Sequence, residues 1–196
     1  MFTPLRVLLG RVYLKRARLK RARHGGLAMI LGMSTAAFTQ LHVIVSLIGI
    51  GSGIAVVLGM LAANRLPGMT AIFLATTVAT SVTGFMFHFA SFGPPEIVGV
   101  ISLVVLAAAV LALYARKLSG SWRWIYVASA VCALYLNTFV AVVQTFQKVA
   151  FFHALAPTQK EPPFAVAQGI VFIVCLSVGI AAAKKFHPAA AAQAIA

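Results

Sequence analysis

The chain contains no aspartate, and its only carboxylates are Glu96 and Glu161. That scarcity removes paired-carboxylate catalysis, oxygen cages for Ca²⁺ or Mg²⁺, and Asp/Glu proton relays. Charged residues of both signs make up only 9% of the sequence, against about 25% in soluble domains. Cysteine is nearly absent too. Cys132 and Cys175 both fall inside long apolar stretches, at comparable depth, where a cysteine is ordinarily a small buried hydrophobe. A disulfide or a metal pair would require those two stretches to touch there. No serine belongs to a recognisable nucleophile–base–acid motif, and "GIGSG" at Gly49–Gly53 lacks the spacing and the preceding strand of a nucleotide loop. These absences favour a non-enzymatic role.

What the chain has instead is long hydrophobic runs. Five of them, roughly Phe38–Leu61, Thr70–Phe89, Glu96–Tyr114, Trp124–Phe146 and Phe164–Ala183, fill most of the sequence. A helix rises ~1.5 Å per residue, so ~20 residues cross a ~30 Å hydrocarbon core. The expected fold is an all-α membrane protein, an antiparallel bundle of five transmembrane helices. Turn residues mark each connection: Asn64, Pro67 and Gly68; Gly93, Pro94 and Pro95; Ser119 and Gly120; Pro157, Pro162 and Pro163. Short connections make sequential helices antiparallel neighbours. Trp122, Trp124, Tyr126 and Tyr114 gather at one boundary, as an aromatic belt would.

The net charge of +14 is unevenly spread. Eight of the sixteen lysines and arginines precede residue 24, and the rest flank the runs. Basic residues beside span ends act as topology signals and headgroup anchors, which turns the reading from nucleic acid toward lipid. With the N-terminus outside, Arg65, Arg116, Lys117, Arg123, Lys184 and Lys185 lie on the cytoplasmic side, and Lys148 and Lys160 lie on the outer side. That is the positive-inside pattern. The basic segment 1–32 votes for the opposite orientation. The body, whose charges are spread over three segments, outweighs it. The expectation is a functional chain beginning near Met33, with residues 1–32 as a basic extension, 33–187 as the transmembrane domain and 188–196 as a low-complexity disordered tail.

Alternating helix direction converts position within a span into depth. His42, His88, Glu96, Gln144, Lys148, His153 and Gln168 then all fall toward one membrane face, the outer one in this orientation. Inward from His42 come Ser46, Gly49 and Gly53, and inward from His88 come Gly84, Ser81 and Thr77. These spacings keep each set on one helical stripe. Small stripes let membrane helices approach closely, and hydroxyls can bond across the contact. Matching stripe to stripe would bring His42 near His88. On the fourth run, Asn137, Ala141, Gln144 and Lys148 recur at helical spacing. Amides in a span are usually interhelical glue.

The candidate ligand-binding residues are therefore His42, His88, Glu96, Asn137 and Gln144. Ser46, Gly49, Gly53, Thr77, Ser81 and Gly84 are candidates for helix packing. The favoured function is a polar pocket near the outer face, binding a small molecule or a partner membrane protein. One alternative is a redox protein holding haem or a small metal ion between His42 and His88, although small stripes bring axes too close for haem. Another is a component of a small oligomeric transporter.

The segments "LHVIVSLIGIGSG" (Leu41–Gly53), "FLATTVATSVTGF" (Phe73–Phe85), "WRWIYV" (Trp122–Val127), "LYLNTFVAVVQ" (Leu134–Gln144) and "APTQKEPPF" (Ala156–Phe164) resemble a family of small, uncharacterised bacterial integral-membrane proteins. The resemblance runs from Met33 to His187. It implies a multi-pass protein of the bacterial cytoplasmic membrane and adds no activity.

Overall fold

The structure, a computed structural model, describes residues 29–87 and 93–187. The expectations placed on residues 1–28, on His88 and on the tail 188–196 lie outside the described residues. The chain divides into two units, residues 1–41 and 42–196.

In the first unit, strands β1 (Met29–Ile30) and β2 (Met33–Ser34) pair antiparallel through the two-residue turn Leu31–Gly32. Both turn residues have positive φ, 52° and 78°, the requirement of a tight hairpin turn of the primed kind. Ser34 then caps helix α1 (Thr35–Leu61), its Oγ accepting from the Ala37 N–H at 3.3 Å.

The second unit begins within α1 and is helical throughout. It holds α2 (Pro67–Gly84), α3 (Pro94–Val110, continued by a π-helical turn over Leu111–Ala115), α4 (Trp122–Lys148), the short α5 (Ala150–Leu155) and α6 (Pro162–Lys185). Proline opens α2, α3 and α6, where its missing N–H costs nothing and its φ is already helical. At the end of α1, Ala63 takes a φ of 56° while Asn64 N–H donates to Gly59 O and Ala63 N–H to Met60 O. This bond pair closes a Schellman cap, with alanine where glycine would be unstrained.

Four helices are long and apolar enough to cross a membrane: α1, α3 with its π turn (Pro94–Ala115), α4 and α6. The expected second span, Thr70–Phe89, is realised as α2, which has 18 residues and is not among the four. Its five threonines and one serine dilute the apolar average. The outward surfaces agree with a lipid environment. No residue in the most apolar stretch of α6 is buried, and Val166, Ile170, Phe172, Ile173, Val174, Leu176 and Ile180 all stand exposed along that helix. In water, so large an apolar patch would drive association.

α4 packs against both α3 and α6. Contacts along α4 and α6 pair in opposite order. Arg123 meets Ala183 and Phe186, Val131 meets Gly179, Tyr135 meets Phe172, and Phe146 meets Phe164. The core gathers toward one end of the second unit, around Met60, Phe73, Leu106, Ala112, Tyr126, Ala130 and Phe186. Tyr126 is only 2% exposed, with its ring 6.0 Å from that of Phe186. It is a core side chain rather than a member of an aromatic belt. Trp124 and Tyr114 do stand exposed. Arg123 Nη1 donates to Phe186 O at 2.6 Å and to Ala183 O at 3.2 Å, closing the carbonyl end of α6 with a cation where the helix dipole favours one.

Candidate functional site

The facing surfaces of α1 and α2 change character along their length. His42 Nδ1 lies 2.8 Å from Thr83 Oγ1. The Thr83 hydroxyl already donates to Ala79 O at 2.7 Å, so here it accepts, and the His42 proton sits on Nδ1. In that tautomer Nε2 carries the ring's lone pair, the atom that would take a proton or a ligand. The ring also meets Phe87 edge-on, 5.2 Å between centroids. One turn inward, Ser46 Oγ lies 3.3 Å from Thr80 Oγ1. Next comes Gly49, where an added Cβ would stand 3.0 Å from Asn137 Nδ2, 3.2 Å from Thr76 Oγ1 and 3.3 Å from Thr77 Oγ1. At Gly53 the contact turns apolar: a Cβ there would come within 2.8 Å of the Phe73 ring and 2.9 Å of Leu134 Cδ1.

Hydroxyls in an apolar medium usually bond a carbonyl of their own helix, since no water is available. Most do so here: Ser52 to Ile48 O, Thr76 to Ile72 O, Ser81 to Thr77 O, Thr138 to Leu134 O and Thr145 to Ala141 O. Thr77 does not. Its Oγ1 is buried without a hydrogen-bond partner, as is Asn137 Nδ2. Thr77 is 2% exposed and Asn137 8%. Both atoms close on Gly49, leaving less than ordinary contact distance for even a Cβ there. A buried amide or hydroxyl without a partner costs on the order of 1–3 kcal/mol, so the contact beside Gly49 is closely packed yet incompletely satisfied.

The expected site residues fare differently. His42 and Asn137 both lie on this α1–α2–α4 contact. Asn137 stands roughly 16 Å from Lys148 along α4 at ~1.5 Å per residue, deeper than a rim pocket requires. Glu96 is buried but tied to its own helix start. Its Oε2 accepts from Gly93 N–H at 2.8 Å, and its Oε1 has no partner. Gln144 is exposed and takes no part in the buried cluster. His88 lies outside the described residues. Among the packing candidates, Ser46, Gly49, Gly53 and Thr77 lie in the α1–α2 contact, and a Cβ added at Gly84 would stand 3.9 Å from His42 Cε1. The pairing differs by one turn from a match of the two stripes, for Ser46 meets Thr80 and Gly53 meets Phe73. Thr80 and Thr83 were missed by the stripe reading. Their signal was the run of threonines at 76, 77, 80 and 83, spaced by one and three residues along α2.

Beyond this contact, Gln168 Nε2 donates to Phe139 O at 3.2 Å while its Oε1 is unpartnered. His153 Nδ1 lies 3.3 Å from Phe146 O. Among the described residues, no three His, Cys, Asp or Glu side chains stand close enough to share a metal ion. Cys132 and Cys175 are free thiols. In the loop before α6, Glu161 accepts from Thr158 Oγ1 at 2.8 Å, from Thr158 N–H at 3.3 Å and from Lys160 N–H at 3.1 Å. Desolvation pushes its pKa up, but these bonds outweigh it and hold the carboxyl below the usual glutamate range. No family model, no curated protein and no solved structure matches the chain.

Proposed function

We propose that this chain is a non-enzymatic membrane protein that binds a small polar molecule between α1, α2 and α4. One observation carries the reading: Thr77 Oγ1 and Asn137 Nδ2 are buried and unpartnered where α1, α2 and α4 meet beside Gly49, a close contact that must part to admit the guest. One group is a donor and the other can accept or donate, so a guest with both functions would satisfy each. His42, two turns away, adds a protonatable nitrogen. A partner membrane protein inserting a polar side chain would be recognised by the same chemistry.

In this reading α1, α2, α3, α4 and α6 cross the cytoplasmic membrane of a bacterium as an antiparallel bundle. The N-terminus is outside and the C-terminus inside, on the positive-inside count. α2 spans although it is polar, because 18 residues reach ~27 Å and the hydroxyls of Thr76, Ser81 and Thr83 bond within the helix. The resemblance of residues 33–187 to small bacterial membrane proteins supports the same location.

Native mass spectrometry of protein purified from its own membranes tests the site. The parent should carry a small-molecule adduct that Asn137→Leu lacks. Two bare proteins would overturn the reading. A C-terminal reporter active only in the periplasm would overturn the orientation. The alternative, haem or a small metal ion on His42 and His88, would use the His42 Nε2 lone pair. A Soret band or a stoichiometric metal in the purified protein would favour it over an organic guest.

A further inference from the structure

A concavity lies on the other side of α4. It is an open groove of about 430 Å³ between α4 and α6, bounded by Trp124 and Ala183 at one end and by Tyr135 and Phe172 at the other, with Ala128 and Leu176 on its walls. Its lining is almost wholly apolar, which is unsuited to a polar metabolite. From Trp124 to Tyr135 the groove runs about 17 Å at the helical rise. That is close to half of a ~30 Å hydrocarbon core, the depth of one leaflet. A packed helix from another protein would cover the full length of α4 and α6. A groove that stops halfway fits the tail of a lipid from one leaflet.

The leaflet is set by charge. The groove occupies the N-terminal half of α4 and the C-terminal half of α6, so it opens beside Arg123, Lys184 and Lys185. The two lysines are exposed, and the Arg123 guanidinium lies 4.7 Å from the Trp124 ring centroid. Both carboxylates of the chain are remote from this end. Glu96 opens α3 at the opposite end, where Gly99 adjoins Phe85, and Glu161 precedes the far end of α6. At the other end of the groove, Tyr135 and Phe172 meet edge-on at 5.7 Å and close it near mid-depth. We infer that this groove holds one acyl chain of an anionic phospholipid, whose headgroup sits on Lys184 and Lys185.

Trp124 is a built-in reporter, since Trp122 is the only other tryptophan. The Trp122→Phe variant would be reconstituted in vesicles of phosphatidylcholine and phosphatidylglycerol. In one series the phosphatidylglycerol carries dibrominated chains, and in the other the phosphatidylcholine does. Brominated phosphatidylglycerol should quench Trp124 well beyond its mole fraction, and brominated phosphatidylcholine should not. Each lysine changed, as Lys184→Gln or Lys185→Gln, should lower that preference about fivefold, the factor of one basic side chain at an anionic surface. Both lysines are exposed, so folding is not at stake. Ala128→Phe, which fills the groove from an exposed position, should abolish the excess quenching of either variant. Quenching that follows mole fraction for both lipids would overturn the inference, leaving ordinary boundary lipid. So would a Trp124 shielded from both lipids in a dimeric protein, which would make a second copy the occupant.

Discussion

The two ends of the second unit are built on opposite terms. Around Phe73, Tyr126 and Phe186 the helices meet through apolar side chains and glycine gaps that large groups fill, as the Phe73 ring fills the space at Gly53. Around His42, Thr80, Thr83 and Asn137 the same helices meet through hydroxyls, an imidazole and an amide. Of the four buried side-chain atoms without partners among the described residues, those of Thr77 and Asn137 belong to this second region, and those of Glu96 and Gln168 lie on α3 and α6. Bringing apolar groups together gains little transfer energy inside lipid, so stability there comes from packing. The close-packed end therefore supplies the stability, and the polar end is left incompletely satisfied.

The comparison predicts unequal responses to substitution. The largest loss is expected for Phe73→Ala, which empties a fully buried position. In soluble proteins such a change costs ~3–5 kcal/mol. In a bilayer part of the transfer term vanishes, so a loss near the low end, about 3 kcal/mol, should appear in unfolding from mild detergent into SDS. Gly53→Ala should follow at ~1–3 kcal/mol, the usual range for overpacking, because its Cβ would press on Phe73 and Leu134. Gly51→Ala, one turn-face away with nothing within 4 Å, is the control and should lose no stability. Equal effects at positions 51 and 53 would dissolve the claim that this end is packed tightly.

Smaller effects are expected at the polar end. His42→Ala removes the bond to Thr83, and interhelical hydrogen bonds in membranes average ~0.6 kcal/mol with a maximum near ~1.7. Asn137→Leu should be close to neutral or stabilising, since it removes a buried donor that has no partner. The same titration would show it. A loss of more than about 2 kcal/mol for Asn137→Leu would mean that Nδ2 is bonded in the folded protein, and the contrast between the two ends would fail.

Much of the scaffold was legible from the sequence, because uninterrupted apolar length is nearly sufficient to define a membrane helix. α1, α3, α4 and α6 stand within a few residues of the expected runs. The involvement of Gly49, Gly53 and Thr77 in close packing was legible for a similar reason, since helical spacing fixes which residues share a face. Register was not. Two stripes of small residues can slide by a turn at little cost. The choice is made by how Phe73 fits beneath Gly53 and how Thr83 meets His42, which depends on bulk and hydrogen bonds across helices. Glu96 illustrates a second gap. As a lone acid near a span end it suggested a ligand, whereas its spacing of three residues from Gly93 already matched a helix-start bond to the backbone. The α4–α6 groove had no sequence signal, because it arises from the spacing between two helices and not from the pattern on either.

The smallest effect lies in the loop that leads into α6, and it sharpens the same comparison, because this loop is held by a charge and not by packing. Glu161 accepts three hydrogen bonds from Thr158 and Lys160, and its pKa is depressed in the folded protein. A depressed carboxylate contributes stability that is fully present above its unfolded pKa and disappears as pH falls through the lower folded value. Acidification below the ordinary glutamate range, ~4.3, should therefore loosen residues 158–161 while leaving the Phe73–Tyr126 end unchanged. Hydrogen exchange of the Thr158 and Lys160 amides, followed from neutral pH downward and corrected for intrinsic rates, would show protection lost with one proton's dependence. Glu161→Gln should show weak protection at every pH. If the parent and the variant respond alike, the carboxylate is not what orders the loop, and its turn residues must be doing so.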